Sequence, residues 1–424
     1  MVESLRNQAA QAPAAGCMRI LVHDYSGHPF PVQLSRELAR RGHQVTHCFD
    51  ADFVTPHGNL SVQPTDPPRF SVSAVTAGGP LAKHALLKRW QQERAYGREL
   101  ARFILAQAPD VVLSGNTPLG SQALALQASR RAGARFVYWL QDLYGIGIER
   151  ALRARIPLAG THLGRHFIRT ERRLLRASDG VVAISTDFTD YAVQSGVERR
   201  RLEVIENWGP VADFKADDNE ITWKERHGLE GKFVFLYSGT LGLKHNPELL
   251  ASVARAFASH PEVAVVVASE GVGAEWLRAH RRSEGLTNLQ ILDFQPYPEV
   301  PEMLRAADVL MAILEPAAGE FSVPSKVLTY MCAGRPILGA IPAETLAART
   351  LRRANCGVVV DPSNPGEFVN AARKLWGSAD FRQELGDAGR RHAEQRFRIE
   401  GIASRFEAVL AKPPSGPKLA REAV

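Results

Sequence analysis

The feature that most constrains this chain is an alternation that runs through it: short apolar runs, each closed by a loop of small or turn-forming residues, each followed by a helical stretch. Residues 19–23 form a short run with the apolar centre Ile20-Leu21-Val22, followed by Asp24-Tyr25-Ser26-Gly27-His28-Pro29. Residues 32–41 place Leu34, Leu38 and Ala39 on one helical face and stop at Gly42, and residues 43–49 read as the next strand. Strands that are apolar throughout are buried on both faces, and successive parallel strands need a helical crossover. The pattern predicts a doubly wound parallel sheet. It recurs at 110–114, 136–140 and 179–185, then starts afresh at 233–237 and continues through 263–268, 289–294, 309–314 and 357–360.

A chain of 424 residues is too long for one hydrophobic core. We therefore expect two α/β domains, at 18–210 and 211–390, joined through a charged, irregular linker at 213–224. Residues 1–17 and 412–424 read as disordered tails. The first of these has no apolar core of the signal-peptide kind, and translation is expected to start as readily at Met18. Residues 54–80, rich in proline, read as a loop. No apolar run approaches the roughly 20 residues that span a bilayer. Cys17, Cys48, Cys332 and Cys356 have neither metal nor disulfide spacing, which points to a reducing, cytoplasmic setting.

Two loops carry the signature of anion sites. Residues 322–337 run S-V-P-S-K-V-L-T-Y-M-C-A-G-R-P-I after the apolar strand at 309–314. Pro324 fits the first position of a helix, so Ser325 and Lys326 fall in its first turn, where free N–H groups and the helix dipole attract an anion. A lysine there is unfavourable unless a phosphate shares it, although an ordinary capped helix fits the same letters. The second loop, Ser238-Gly239-Thr240-Leu241-Gly242-Leu243-Lys244, follows the strand at 233–237. Gly239 and Gly242 are expected to free backbone N–H groups for oxyanions, with Lys244 adding charge; a plain tight turn is the alternative. There is no G-x-G-x-x-G, so a dinucleotide site is not indicated.

The stretch at 322–337 resembles the donor-binding segment of the retaining glycosyltransferases of GT-B fold, family 4, in the branch with a Pro-Ser-Lys corner that builds bacterial surface polysaccharides. Asp142-Leu143-Tyr144 is similar to that family's D-L-W-P, residues 179–185 to its a-D-x-v-x-x-i-S, and residues 204–208 to its v-I-p-N. The resemblance implies two Rossmann-like domains facing across a cleft, with a helix at 391–411 crossing back to the first. It implies transfer from a nucleotide-diphosphate sugar, UDP by default, to a glycan or lipid-linked acceptor. It implies no metal and no cofactor, with Lys244 and Lys326 countering the departing diphosphate, whose own oxygen takes the acceptor proton. Donor contacts fall on Gly27, Gly239, Thr240, Lys244, Glu270, Ser325 and Lys326, with Phe294, Gln295 and Tyr297 at the base. His28 and Asp142 would stand in the cleft as catalytic candidates; a loop histidine is also commonly structural and Asp142 equally fits a helix cap. The loop at 54–80 would line the acceptor site. The family's Glu-x7-Glu pattern aligns on Phe321, beside Glu320, and on Thr329, so both usual glutamates are replaced. That replacement keeps a non-catalytic nucleotide-sugar-binding module in view, and the shared architecture keeps a GT-B sugar epimerase.

The formal charge of +7 concentrates at 150–176, where Arg150, Arg153, Arg155, Arg165, Arg169, Arg172, Arg173 and Arg176 alternate with leucine, isoleucine and phenylalanine, with Glu171 the one acid. A basic amphipathic stretch of this kind fits an anionic membrane surface, which would make the protein peripheral on the inner face of the cytoplasmic membrane. A solvated helix face is the alternative. No nucleic-acid-binding motif accompanies it.

Overall fold

Each parallel strand alternates with a helix, and the chain makes two sheets. The computed structural model describes residues 16–53, 57–79, 86–214, 220–242, 245–316 and 326–413. The first unit contains β1 (Arg19–Asp24), α1 (Pro29–Arg40), β2 (Gln44–Asp50), β3 (Phe70–Val75), α2 (Leu86–Gln107), β4 (Val111–Gly115) and α3 (Leu119–Arg131). It continues through β5 (Arg135–Leu140), α4 (Tyr144–Arg155), α5 (Pro157–Ala177), β6 (Gly180–Ala183), α6 (Thr186–Gln194) and β7 (Leu202–Val204). The second contains α7 (Glu220–Arg226), β8 (Phe233–Ser238), α8 (Glu248–Ala256), β9 (Val263–Ala268), α9 (Val272–Glu284), β10 (Leu289–Leu292), α10 (Val300–Ala306) and β11 (Val309–Ile313). It ends with α11 (Lys326–Cys332), β12 (Ile337–Ala340), α12 (Leu346–Ala354), β13 (Gly357–Val360), α13 (Pro365–Gly377), α14 (Ala379–Arg396) and α15 (Ile399–Ala411).

The strand orders are β3-β2-β1-β4-β5-β6-β7 and β10-β9-β8-β11-β12-β13, with every pairing parallel. The doubly wound α/β expectation is met in both halves. The order reverses between β1 and β4 in one sheet and between β8 and β11 in the other. At such a reversal the two crossovers depart to opposite faces and leave a crevice at the carboxyl ends of the strands.

Three elements differ from the sequence reading. Residues 54–80 are not all loop: 70–75 form β3, an edge strand whose alternation of Phe70, Val72 and Ala74 with serine was too weak to register against the prolines before it. The expected linker at 213–224 contains the start of α7, whose Trp223 is fully buried. The expected crossing helix at 391–411 is parts of two helices, broken at Phe397 and Arg398. Phe397 is buried at the break and turns the chain back toward the first sheet.

That return is anchored by aromatic packing. Phe406 of α15 meets Trp139 of β5 edge-on at 4.8 Å and lies 6.0 Å from Trp208, while Phe30 closes the cluster at 5.6 Å from Trp139. Arg41 and His43, after α1, converge on Glu407 at 3.0 and 2.8 Å. Burial pushes the Glu407 carboxyl up, but these two partners outweigh it and hold it below the usual range. The carboxyl ends of the two sheets face each other: Arg349 of α12 pairs with Asp187 of α6 at 2.5 Å, and Ile184 and Asn207 share a small cavity with Val327 and Leu328. All four cysteines are free thiols, and among the described residues no helix is long and apolar enough to cross a membrane.

Candidate functional site

In the second unit the β8/β11 reversal brings together the loop after β8 and the start of α11. The ammonium nitrogen of Lys326 lies 3.7 Å from the ring centre of Tyr237, a cation–π contact. It also lies 3.1 Å from where a Cβ on Gly239 would stand. Gly239 has φ +122°, a conformation that side chains rarely adopt, so its loop can approach the lysine only because the residue is glycine. Tyr330, one turn beyond Lys326, accepts from the Ser238 N–H at 2.9 Å and donates to the Ser238 carbonyl at 3.0 Å. Tyr237 donates to the Thr240 carbonyl at 2.9 Å. The first turn of α11 and the glycine loop are thus bolted into one surface, with a cation on it.

One expectation about this loop is corrected. The N–H of Gly239 donates to the Ala268 carbonyl at 3.0 Å, and that of Gly242 to His245 Nδ1 at 3.2 Å. Neither is free for an oxyanion. Parallel pairing with β9 reaches one residue past β8 and takes up the first amide. The amides of Thr240 and Leu241 make no hydrogen bond among the described residues. Lys244, Glu320, Phe321 and Ser325 lie outside the described residues, as does Pro324.

The other donor-side candidates line the neighbouring strand ends. Glu270 lies two residues past the end of β9 and is half-buried. Phe294 and Gln295, after β10, are half-buried, and Gln295 Nε2 donates to the Asp293 carbonyl at 3.0 Å. The Tyr297 hydroxyl donates to Asp213 at 2.5 Å, fixing this loop to the segment that joins the two units. Thr329 is half-buried on α11, three residues from Lys326.

In the first unit the β1/β4 reversal holds a polar cluster. Asp24 is buried; its carboxylate accepts from the His28 N–H at 2.5 Å and from Asn116 Nδ2 at 2.7 Å, and stands 3.6 Å from His28 Nδ1. Burial pushes this carboxyl up, yet His28 and Asn116 outweigh it, and the net shift is downward. His28 is left 30% exposed with its ring nitrogen turned to Asp24 and to Asn116 at 3.4 Å. Asn116 holds a left-handed backbone, φ +54°, a strained state that asparagine tolerates better than most residues. Beneath the cluster His23 is wholly buried between Ser114 and Tyr96, each at 2.8 Å, and burial pushes it down to about 3, so it is a neutral strut.

Gly27 is not open to a ligand: a Cβ there would meet Leu60 at 2.8 Å and His57 at 3.2 Å, so the close approach it allows is by the chain's own loop. Asp142 follows β5 and is half-buried beside Tyr144, whose hydroxyl donates to the Asn116 carbonyl at 3.1 Å. Asp24, Tyr237 and Tyr330 were not singled out from sequence. Tyr330 stands at i+4 from Lys326 and Asp24 ends an apolar strand; those spacings were the available signals.

Two domains, each with its polar cluster at a strand-order reversal and the two facing each other, match two family descriptions in the same order. Residues 29–208 match the glycosyl transferase 4-like domain and residues 219–392 match the glycosyl transferases group 1 domain. The chain is a glycosyltransferase of the group 1 type.

Its sequence relatives include WcaI of Escherichia coli (strain K12), named as a colanic acid biosynthesis glycosyl transferase, 26% identical over 66% of this chain and 68% of that protein. Spore coat protein SA of Bacillus subtilis (strain 168) is 24% identical over 44% of this chain and 50% of its own length. Among solved structures, HepE of Anabaena in complex with UDP-glucose superposes with a TM-score of 0.68 at 18% identity, covering 93% of this glycosyltransferase and 99% of HepE. WaaG, a glycosyltransferase involved in lipopolysaccharide biosynthesis, superposes with a TM-score of 0.64 at 17% identity, over 93% and 100%. The GT-B arrangement is shared with both.

Proposed function

We propose that this glycosyltransferase moves a sugar, with retention of configuration, from a UDP-linked donor to a glycan or lipid-linked acceptor in bacterial surface polysaccharide assembly. The observation that carries the proposal is the placement of the Lys326 ammonium against the Gly239 loop at the β8/β11 reversal. A diphosphate leaving group develops charge in the transition state, and a preorganised cation beside backbone amides that have no partner among the described residues stabilises it there. The UDP-glucose held by HepE supports the nucleotide and the colanic acid naming of WcaI supports the product class. His28, with Asp24 and Asn116 behind it, stands on the acceptor side of this reading. The diphosphate is met by Lys326 and Lys244 rather than by a metal, so EDTA leaves turnover intact. Abolition that Mn²⁺ restores would count against it.

Incubation with radiolabelled UDP-sugars and a membrane extract tests the whole reading: label passes to extractable glycan or lipid. Thr329 and Phe321 stand where the resemblance places glutamates, which favours one second reading, a nucleotide-sugar-binding module without turnover. Retention of UDP-sugar with no release of UDP would select it.

A further inference from the structure

We infer that Glu171, a carboxyl on α5 outside the cleft, is the positioning residue that sets the loop carrying Asp142 and Tyr144 on the acceptor side. The inference rests on the first domain being that side.

Helix α4 begins without the usual devices: its N-cap is Leu143, with no side-chain cap, and its first turn holds no acid. The free amides there need an acceptor and the helix dipole favours a negative one. Glu171 supplies the acceptor from the neighbouring helix. It is 0% exposed, and its Oε2 accepts from the Gly145 N–H at 3.2 Å and from the Tyr191 hydroxyl of α6 at 2.7 Å. Its other oxygen is buried with no partner, and no cation pairs with it among the described residues. The groups facing it are Tyr138 from β5, Asp142 and Tyr144 at the head of α4, Tyr191 from α6, and Arg172 beside it on α5. Gly145 makes the contact possible: a Cβ would stand 2.9 Å from Glu171 Oε2 and 2.9 Å from Ile168 Cα.

The head of α4 is in turn wired to the cleft. Tyr144 donates through its hydroxyl to the Asn116 carbonyl, and Asn116 reaches Asp24 at 2.7 Å and His28 Nδ1 at 3.4 Å. A carboxyl buried for packing alone would be replaced at lower cost by an apolar group of its size, because an unpaired buried acid is unfavourable. Its hydrogen bonds go instead to an uncapped helix start and to the next helix.

Hydrogen exchange on the full chain reads the positioning directly, with UDP binding by calorimetry and hydrolysis of UDP-glucose alongside. In Glu171→Ala we expect the peptide 141–149 to exchange about tenfold faster or more, with β5 and the rest of α5 unchanged. UDP affinity and the KM for UDP-glucose stay the same while kcat falls. Glu171→Gln keeps an oxygen that can accept both bonds, so it restores the protection and kcat. Gly145→Ala, which pushes the helix start off the carboxyl, reproduces the local loosening if Glu171→Ala does not fold. Unchanged protection of 141–149 in the folded variant, loosening shared by β5 and α5, or a glutamine variant as impaired as alanine would overturn the assignment. If the wild type hydrolyses no UDP-glucose, the donor reading fails and the exchange data still decide the positioning.

Discussion

Lys326 and Gly239 are held against each other across 87 residues of sequence: the ammonium lies 3.1 Å from the space a Cβ on Gly239 would fill, and Tyr237 and Tyr330 brace the contact from either side. The lysine sits at the start of a helix, where its charge opposes the dipole. The face of Tyr237 offsets part of that opposition, and a bound anion at this corner would offset more.

Lys326→Met keeps the apolar stem over the Tyr237 ring and removes the charge. We expect kcat/KM for the donor to fall on the order of 10²-fold, as for removal of one oxyanion donor, with little change in Tm. Gly239→Ala forces a left-handed alanine into the lysine and should cost about 1–3 kcal/mol in addition to donor affinity. Calorimetry with UDP on both variants checks this; normal UDP affinity in both would remove the diphosphate from this corner.

The domain class was legible because buried parallel strands and crossover helices write two distinct periods, and they repeat in both halves. Strand β3 was not, since an edge strand is only half apolar, and the break at Phe397 was not, since an aromatic residue fits a helix as well as its end. At the site, the helix beginning at Lys326 was legible in the sequence. The engagement of the Gly239 and Gly242 amides was not, because it depends on how far β8 stays paired with β9 and on where His245 turns. Arg172 counted as one more surface charge in sequence; in the fold its Nε is buried and its guanidinium lies 5.6 Å from the Tyr191 ring centre.

Burial pushes Glu171 up to about 7, with the charge of Asp142 adding to it, against the hydrogen bonds from Tyr191 and Gly145. A folded-state value above the unfolded one favours the folded protein below the unfolded value, about 4.5, and that contribution is lost as pH rises through 7. The loss amounts to roughly 3 kcal/mol at most. Glu171→Gln cannot ionise, so its Tm advantage over the wild type should widen between pH 5 and pH 8. A difference constant over that range would mean the carboxyl does not titrate there.

Phe406 belongs by position to the end of the chain and by packing to the first domain's core. Phe406→Ala empties the space between Trp139 and Trp208, and we expect it to destabilise by about 3–5 kcal/mol. The loss should appear in the transition of the first domain, read by the fluorescence of those tryptophans. A loss confined to the second domain would show that α15 does not anchor the first.

The basic stretch folds as an antiparallel pair, α4 and α5, whose outer surface differs from the sequence view of it. Arg165, Arg169 and Arg173 follow one another at four-residue spacing and are all exposed. Ile156 and Leu163, 55% and 50% exposed, are among the few large apolar side chains on the outside. Cations around protruding apolar groups suit an anionic bilayer surface, where each arginine contributes about 1 kcal/mol and salt screens the attraction. Arg172 takes no part, being turned to Tyr191, and replacing it would disturb the Glu171 contact instead. We therefore expect Arg165→Gln, Arg169→Gln and Arg173→Gln together to remove roughly 3 kcal/mol at most, less because lipid does not touch all three at once. The triple variant should fold, bind UDP normally and cease to sediment with phosphatidylglycerol-containing vesicles at 0.1 M salt, while transfer to soluble acceptors persists. Continued sedimentation at low salt would make this face a solvated one and move the search for the acceptor into solution.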